Sequence, residues 1–145
     1  MRDTAAKVLN DLKILVVDDN AEMCSVVRRM LGEMGVTKVF TSKSAPDALK
    51  LLNTAKGPAD IDIILCDWNM PGMSGIELLQ QVRPNNPDLP FLMITGNATE
   101  QFVLEAQQNG VTGYIAKPFS PIVLQKKLNA VAQMIAKRRN NLRLG

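Results

Sequence analysis

The chain contains no histidine at all. That absence excludes Ser-His and Cys-His nucleophilic catalysis and any histidine-ligated metal site. Cysteine is scarce as well: Cys24 and Cys66 are too few for a disulfide framework and read as two reduced, buried thiols. No stretch approaches the roughly 18 consecutive apolar residues that a membrane span needs, so no membrane insertion is expected. The opening residues Met1-Arg2-Asp3-Thr4-Ala5-Ala6-Lys7 lack the apolar core of a secretory signal, and a cytoplasmic location is the expectation. Acid is missing from residues 106–145, where seven Lys/Arg give a net +7; residues 1–105 hold ten Lys/Arg and fourteen Asp/Glu, a net −4. The basic end has neither aromatic interleaving nor a recognition-helix module. It reads as a solvated helix end, and nucleic acid is not the expected partner.

What is present is a single domain's worth of chain, 145 residues, 46% of them apolar. Five short apolar runs recur along it. Lys13-Ile14-Leu15-Val16-Val17 ends in Asp18-Asp19, and Lys38-Val39-Phe40-Thr41 follows. Residues 61–66 end in Asp67, Phe91-Leu92-Met93-Ile94-Thr95 ends in a hydroxyl, and Gly113-Tyr114-Ile115-Ala116 ends at Lys117-Pro118. Short apolar runs bounded by turns read as strands, those at residues 13–17 and 61–66 as strands buried in the sheet.

A helical pattern follows each strand. Asn20 caps the first, with Met23, Val27, Met30 and Leu31 on one face and Gly35 as its stop. Ser44 and Pro46 open the second, which Gly57-Pro58 breaks; Ser74 and Glu77 have capping-box spacing for the third. Asn97 and Glu100 are the expected caps of the fourth, closed by Asn109-Gly110. Ser120 and Pro121 open the last, with the stripe Leu124, Leu128, Val131 and Ile135. Residues 1–12 read as an irregular or weakly helical lead-in, residues 13–136 as the domain, and residues 137–145 as a basic tail expected to fray.

Five strands each followed by a helix predict an α/β fold: an open, doubly wound parallel sheet with right-handed crossovers and helices on both faces. A closed eight-fold barrel would need about 250 residues. In such open sheets the ligand crevice lies outside the carboxyl ends of the strands. Asp18, Asp19, Asp67, Thr95 and Lys117 are all predicted to stand there. Helix capping and a salt bridge account for one polar residue per element, but not for five at strand ends. Three crowded carboxylates repel, and one resists ionising unless a cation is present. With only oxygen ligands available, a partly hydrated Mg²⁺ fits best. A carboxylate beside that cation, with Lys and Thr opposite, is arranged to accept a phosphoryl group.

Residues 13–19, Asp67-Trp68-Asn69-Met70-Pro71-Gly72-Met73-Ser74-Gly75, Thr95-Gly96 and Tyr114-Ile115-Ala116-Lys117-Pro118-Phe119 together resemble a response-regulator receiver domain, of the kind found in single-domain chemotaxis regulators. The resemblance spans residues 13–136. It implies the flavodoxin-like strand order 2-1-3-4-5. It implies that Asp67 is the phosphoacceptor, supplied by a histidine kinase. Asp19, Asp67 and the backbone carbonyl of Asn69 would ligate Mg²⁺, with Asp18 acting mainly through water. Lys117 and Thr95 would hold phosphoryl oxygens, and Tyr114 would be an aromatic switch. Asn69 and Asn97 match positions that tune dephosphorylation, and the Lys117-Pro118 peptide is expected to be cis.

The implied output is binding of a downstream protein on the face from strand four and helix four to helix five, by a monomer that is not a metabolic enzyme. A phosphorelay intermediate or a stress-signalling receiver is the alternative. An aspartyl-phosphate phosphatase would want a second Asp where Asn69 stands, and a flavin carrier would want a Ser/Thr/Gly loop where Asp18-Asp19-Asn20 stands.

Overall fold

Strands and helices alternate through the computed structural model, which describes residues 9–53 and 61–144. The elements are β1 (Lys13–Val17), α1 (Ala21–Glu33), β2 (Lys38–Ser42), α2 (Ala45–Asn53), β3 (Ile63–Asp67), α3 (Gly75–Val82), β4 (Phe91–Thr95), α4 (Glu100–Gln108), β5 (Gly113–Ala116) and α5 (Pro121–Leu144). All strand pairings are parallel and the order is β2-β1-β3-β4-β5, the flavodoxin-like order expected from the sequence. The expected stop at Gly57-Pro58 lies outside the described residues.

Side-chain alternation along the strands divides the core in two. Ile14, Val16, Ile63, Leu65, Leu92, Ile94 and Ile115 pack with the buried stripes of α1 and α5. Leu15, Val17, Ile64, Cys66, Phe91 and Met93 point the other way, toward α2, α3 and α4. The α5 stripe of Leu124, Leu128, Val131 and Ile135 is buried as its spacing requires, and each such side chain contributes about 1.5–3 kcal/mol on removal from water. Leu9 and Leu12 join the α1/α5 side of the core, where Leu12 is fully buried. Among the described residues no helix is long and apolar enough to cross a membrane.

Two local readings are corrected. The cap of α4 is Thr99, whose hydroxyl accepts the Phe102 N–H, and not Asn97. Asn97 is instead drawn into the turn after β4, with its N–H on Thr95 Oγ1 and its carbonyl accepting the Thr99 N–H. The expected tail is helical through the described residues: α5 continues past residue 136 to Leu144. Arg138 donates to the Asp88 carbonyl at 3.1 Å, and Arg139 approaches Asp62 at 3.9 Å. Asp62 also accepts the Lys13 N–H at 2.8 Å, so the basic end of α5 is tied to the amino-terminal edge of the sheet.

One glycine is required by close approach. A Cβ on Gly75 would stand 2.7 Å from the Asp67 carbonyl oxygen and 2.7 Å from Met93 Sδ. Gly32, on α1, has nothing within 4 Å of the same position. Urea unfolding of Gly75→Ala is therefore expected to show a loss of about 1–3 kcal/mol from overpacking. Gly32→Ala should gain up to ~1 kcal/mol from helix propensity. Equal effects at the two glycines would contradict this packing.

Candidate functional site

The parallel register aligns the carboxyl ends of the central strands. Val17 sits beside Cys66, Asp67 beside Ile94, and Thr95 beside Ala116, so the next residue of each strand emerges on one edge. The ladder extends past the strands: the Asp18 N–H donates to the Ser42 carbonyl, Trp68 N–H to Ile94, and Lys117 N–H to Thr95. Rigid strands thus carry the polar residues, and apolar burial behind them holds the strands.

On that edge Asp18, Asp19 and Asp67 each offer one carboxylate oxygen, all within 4.8 Å of one another. Asp18 and Asp67 are buried, with 3% and 7% exposure, whereas Asp19 faces solvent. Lys117 Nζ reaches Asp67 Oδ1 at 3.0 Å, closing one side of the acidic group. The Lys117-Pro118 peptide is cis. Asp18 Oδ1 accepts the Asn20 N–H at 2.9 Å, and Asn20 in turn caps α1 by accepting the Met23 N–H.

One ammonium does not neutralise three carboxylates. Burial, and then the charges of Asp67 and Asp19, push the Asp18 carboxyl above its ordinary range, against the opposing Asn20 N–H and Lys117. Such a group of hard oxygen donors, with a carboxyl that resists ionising alone, fits a divalent cation held by carboxylates and water. The donor set itself is what the cation would answer.

Thr95 lies at the same edge, 3% exposed. Its hydroxyl oxygen accepts the Asn97 N–H at 3.0 Å, which leaves the hydroxyl proton available for donation. Asn69 and Asn97 are exposed in the loops after β3 and β4. Tyr114, on β5, is half-buried, with Lys127 Nζ 5.4 Å from its ring centroid. Trp68, the residue after Asp67, is buried and meets Phe102 of α4 edge-on, with ring centroids 4.9 Å apart. The contacts of Lys127 and Phe102 carry no sequence signal: Phe102 meets a residue from another βα unit, and Lys127 reaches Tyr114 only through the way α5 docks on β5.

A family model for the response regulator receiver domain matches residues 14–129. The chain belongs to that family. It is 40% identical over 131 residues to the chemotaxis protein CheY-3 of Vibrio cholerae serotype O1, covering 88% of this chain and 98% of that protein. The chemotaxis protein CheY of Pseudomonas aeruginosa is 36% identical over 126 residues, covering 86% and 98%. Among solved structures, Vibrio cholerae CheY4 superposes with a TM-score of 0.75 at 33% identity, over 83% of this chain and 98% of that one. A CheY-like receiver domain protein from Methanospirillum hungatei gives 0.77 at 28% identity, over 88% and 99%. The receiver family sets the broad class: a phospho-accepting regulator of two-component signalling.

The raised Asp18 pKa has a definite consequence for metal-free protein. The protonated form stabilises the fold below the unfolded carboxyl pKa of about 3.9, and that contribution is lost as pH rises through the higher folded value. At neutral pH without divalent ions, Asp18→Asn is expected to unfold at a higher temperature than the parent, with the gap closing toward pH 4. The same variant should bind Mg²⁺ about tenfold more weakly or worse, read by titration. A lower melting temperature in chelator would contradict the charge crowding.

Proposed function

We propose that the protein is a chemotaxis-type response regulator that takes a phosphoryl group on Asp67 from the phosphohistidine of a histidine kinase. The observation that carries this reading is the Asp67 carboxylate, grouped with Asp18 and Asp19 and paired with Lys117 at 3.0 Å. A carboxylate oxygen of Asp67 attacks phosphorus, the P–N bond breaks, and the electron pair stays on the imidazole nitrogen. Mg²⁺, held by Asp19, Asp67 and the Asn69 carbonyl with Asp18 through water, would supply the positive charge that neutralises phosphoryl oxygens.

The chain's own groups do the rest. Lys117 exchanges its pairing with the Asp67 carboxylate for pairing with a phosphoryl oxygen. Thr95, with its hydroxyl proton uncommitted, donates to another. The singly charged Asp67 carboxylate becomes an acyl phosphate carrying about −2, offset by the cation and Lys117. Movement of Thr95 toward it opens space into which Tyr114 turns, and the β4–α4 to β5–α5 face changes its packing. A downstream protein reads that face, in a cytoplasmic and monomeric regulator. Asn69 and Asn97, exposed at the mouth, set access of water to the phosphoryl group and so its lifetime.

Incubation with acetyl phosphate and Mg²⁺ tests the centre of this reading by intact mass. One phosphoryl adduct is expected, absent in Asp67→Asn and absent in chelator. An adduct that persists in Asp67→Asn sinks the assignment.

The switch has its own test. Lys127 over the Tyr114 ring contributes about 0.5–1 kcal/mol at an exposed site. Lys127→Gln should therefore raise the inward population of Tyr114 by about two- to fivefold, followed by ¹⁹F NMR of fluorotyrosine, Tyr114 being the only tyrosine. An unchanged ratio would remove Lys127 from the switch.

A further inference from the structure

On the far side of α1's first turns from the Lys117 loop, the chain forms a second, open concavity, largely apolar in area with a cationic rim. It has a volume of about 200 Å³ and is lined by Cys24, Ser25 and Arg28 of α1 and by Thr41 and Lys43 from the end of β2. Drug-sized ligands occupy roughly 300–1,000 Å³, so this space suits a ligand of only a few atoms.

The charged side chains that line it, Arg28 and Lys43, are both cationic, while Asp18 and Asp19 act on the Cys24 wall from behind. Neither Arg28 nor Lys43 has a carboxylate within ion-pair distance among the described residues, where the ion pairs are Lys117–Asp67 and Arg139–Asp62. Arg28 spends one nitrogen on the Val39 carbonyl, at 3.2 Å, and keeps its other donors. That bond also fixes the guanidinium against the β2 strand. The two cations converge on the cavity wall: burial foremost, then Asp18, holds the Cys24 thiol above its usual pKa, while Lys43 and Arg28 both pull the other way. Concave surfaces lined by one sign of charge focus the field on counter-ions. The planar donor fork of arginine beside a lysine point charge matches a phosphate-type oxyanion.

We propose that this cavity is a binding site for a small oxyanion of the phosphate class, held by Arg28, Lys43 and the Thr41 hydroxyl. The site is separate from the Asp67 crevice. The Cys24 thiol, which donates to the Asp18 carbonyl at 3.4 Å, forms the wall between them. Its own lining differs in sign from the acidic crevice, which repels the same ligand when no cation is bound.

The test is a titration of the full chain with inorganic phosphate in chelator, followed by amide NMR against sodium chloride at matched ionic strength. Saturable shifts at Cys24, Arg28, Thr41 and Lys43 are expected, with half-saturation on the order of 1 mM. The double variant R28Q/K43Q should weaken binding about tenfold or more, and R28K/K43R, which keeps both charges, should restore most of it. Asp67→Asn should leave the response intact, which separates this site from the phosphoacceptor reading. Equal shifts with chloride, full binding by R28Q/K43Q, or loss of binding in Asp67→Asn would each overturn the proposal.

Discussion

Three carboxylates share one edge of the sheet with a single ammonium, and most of the local architecture answers that imbalance. Parallel pairing forces it: β1 and β3 run side by side and end at the same level, so Asp18 and Asp67 emerge together. Lys117 Nζ meets Asp67 at 3.0 Å, the Asn20 N–H meets Asp18, and Asp19 is left in solvent. Burial first, and then the uncompensated charges of Asp67 and Asp19, raise the Asp18 pKa. Buried charge is tolerated only when paired or coordinated, so a site of this kind stores a demand for cations. A divalent ion would meet it with positive charge.

The rest of the fold keeps that edge from relaxing. Both sides of the sheet are sealed, by α1 and α5 on one side and by α2, α3 and α4 on the other. The strands cannot splay to separate the carboxylates without exposing these clusters. Gly75 lets α3 begin directly against the Asp67 carbonyl, which fixes the loop after β3 in a short span. The basic end of α5 adds a clamp at the opposite edge, through Arg138 to the Asp88 carbonyl and Arg139 to Asp62.

Two aromatic contacts connect that edge to α4 and α5. Trp68 follows Asp67 in the chain and meets Phe102 of α4 edge-on. Tyr114 sits on β5 under Lys127 of α5. Each contact is individually weak, since an edge-on ring or a cation over a ring is worth of order 1 kcal/mol.

The five strands, the capped helices and the polar residue closing each strand were legible in sequence, because they follow from local rules: apolar runs of strand length, caps, and turn residues. Asp18, Asp19, Asp67, Thr95 and Lys117 could be placed at strand ends for the same reason. The Thr99 cap was missed because Asn97 and Thr99 are both acceptable caps, and only the bond from the Asn97 N–H to Thr95 Oγ1 chooses between them. The continued helix beyond residue 136 was missed because its anchors, Asp62 and Asp88, are remote in sequence. Lys127 over Tyr114, and Arg28 and Lys43 on one cavity, depend on how each helix docks against its neighbouring strand. Sequence alone determined which residues reach the edge of the sheet, since that is a matter of where each strand stops. Tertiary structure decided the distances among them and the partners they keep, because charge pairing and cavity shape depend on register and helix docking between segments that share no local signal.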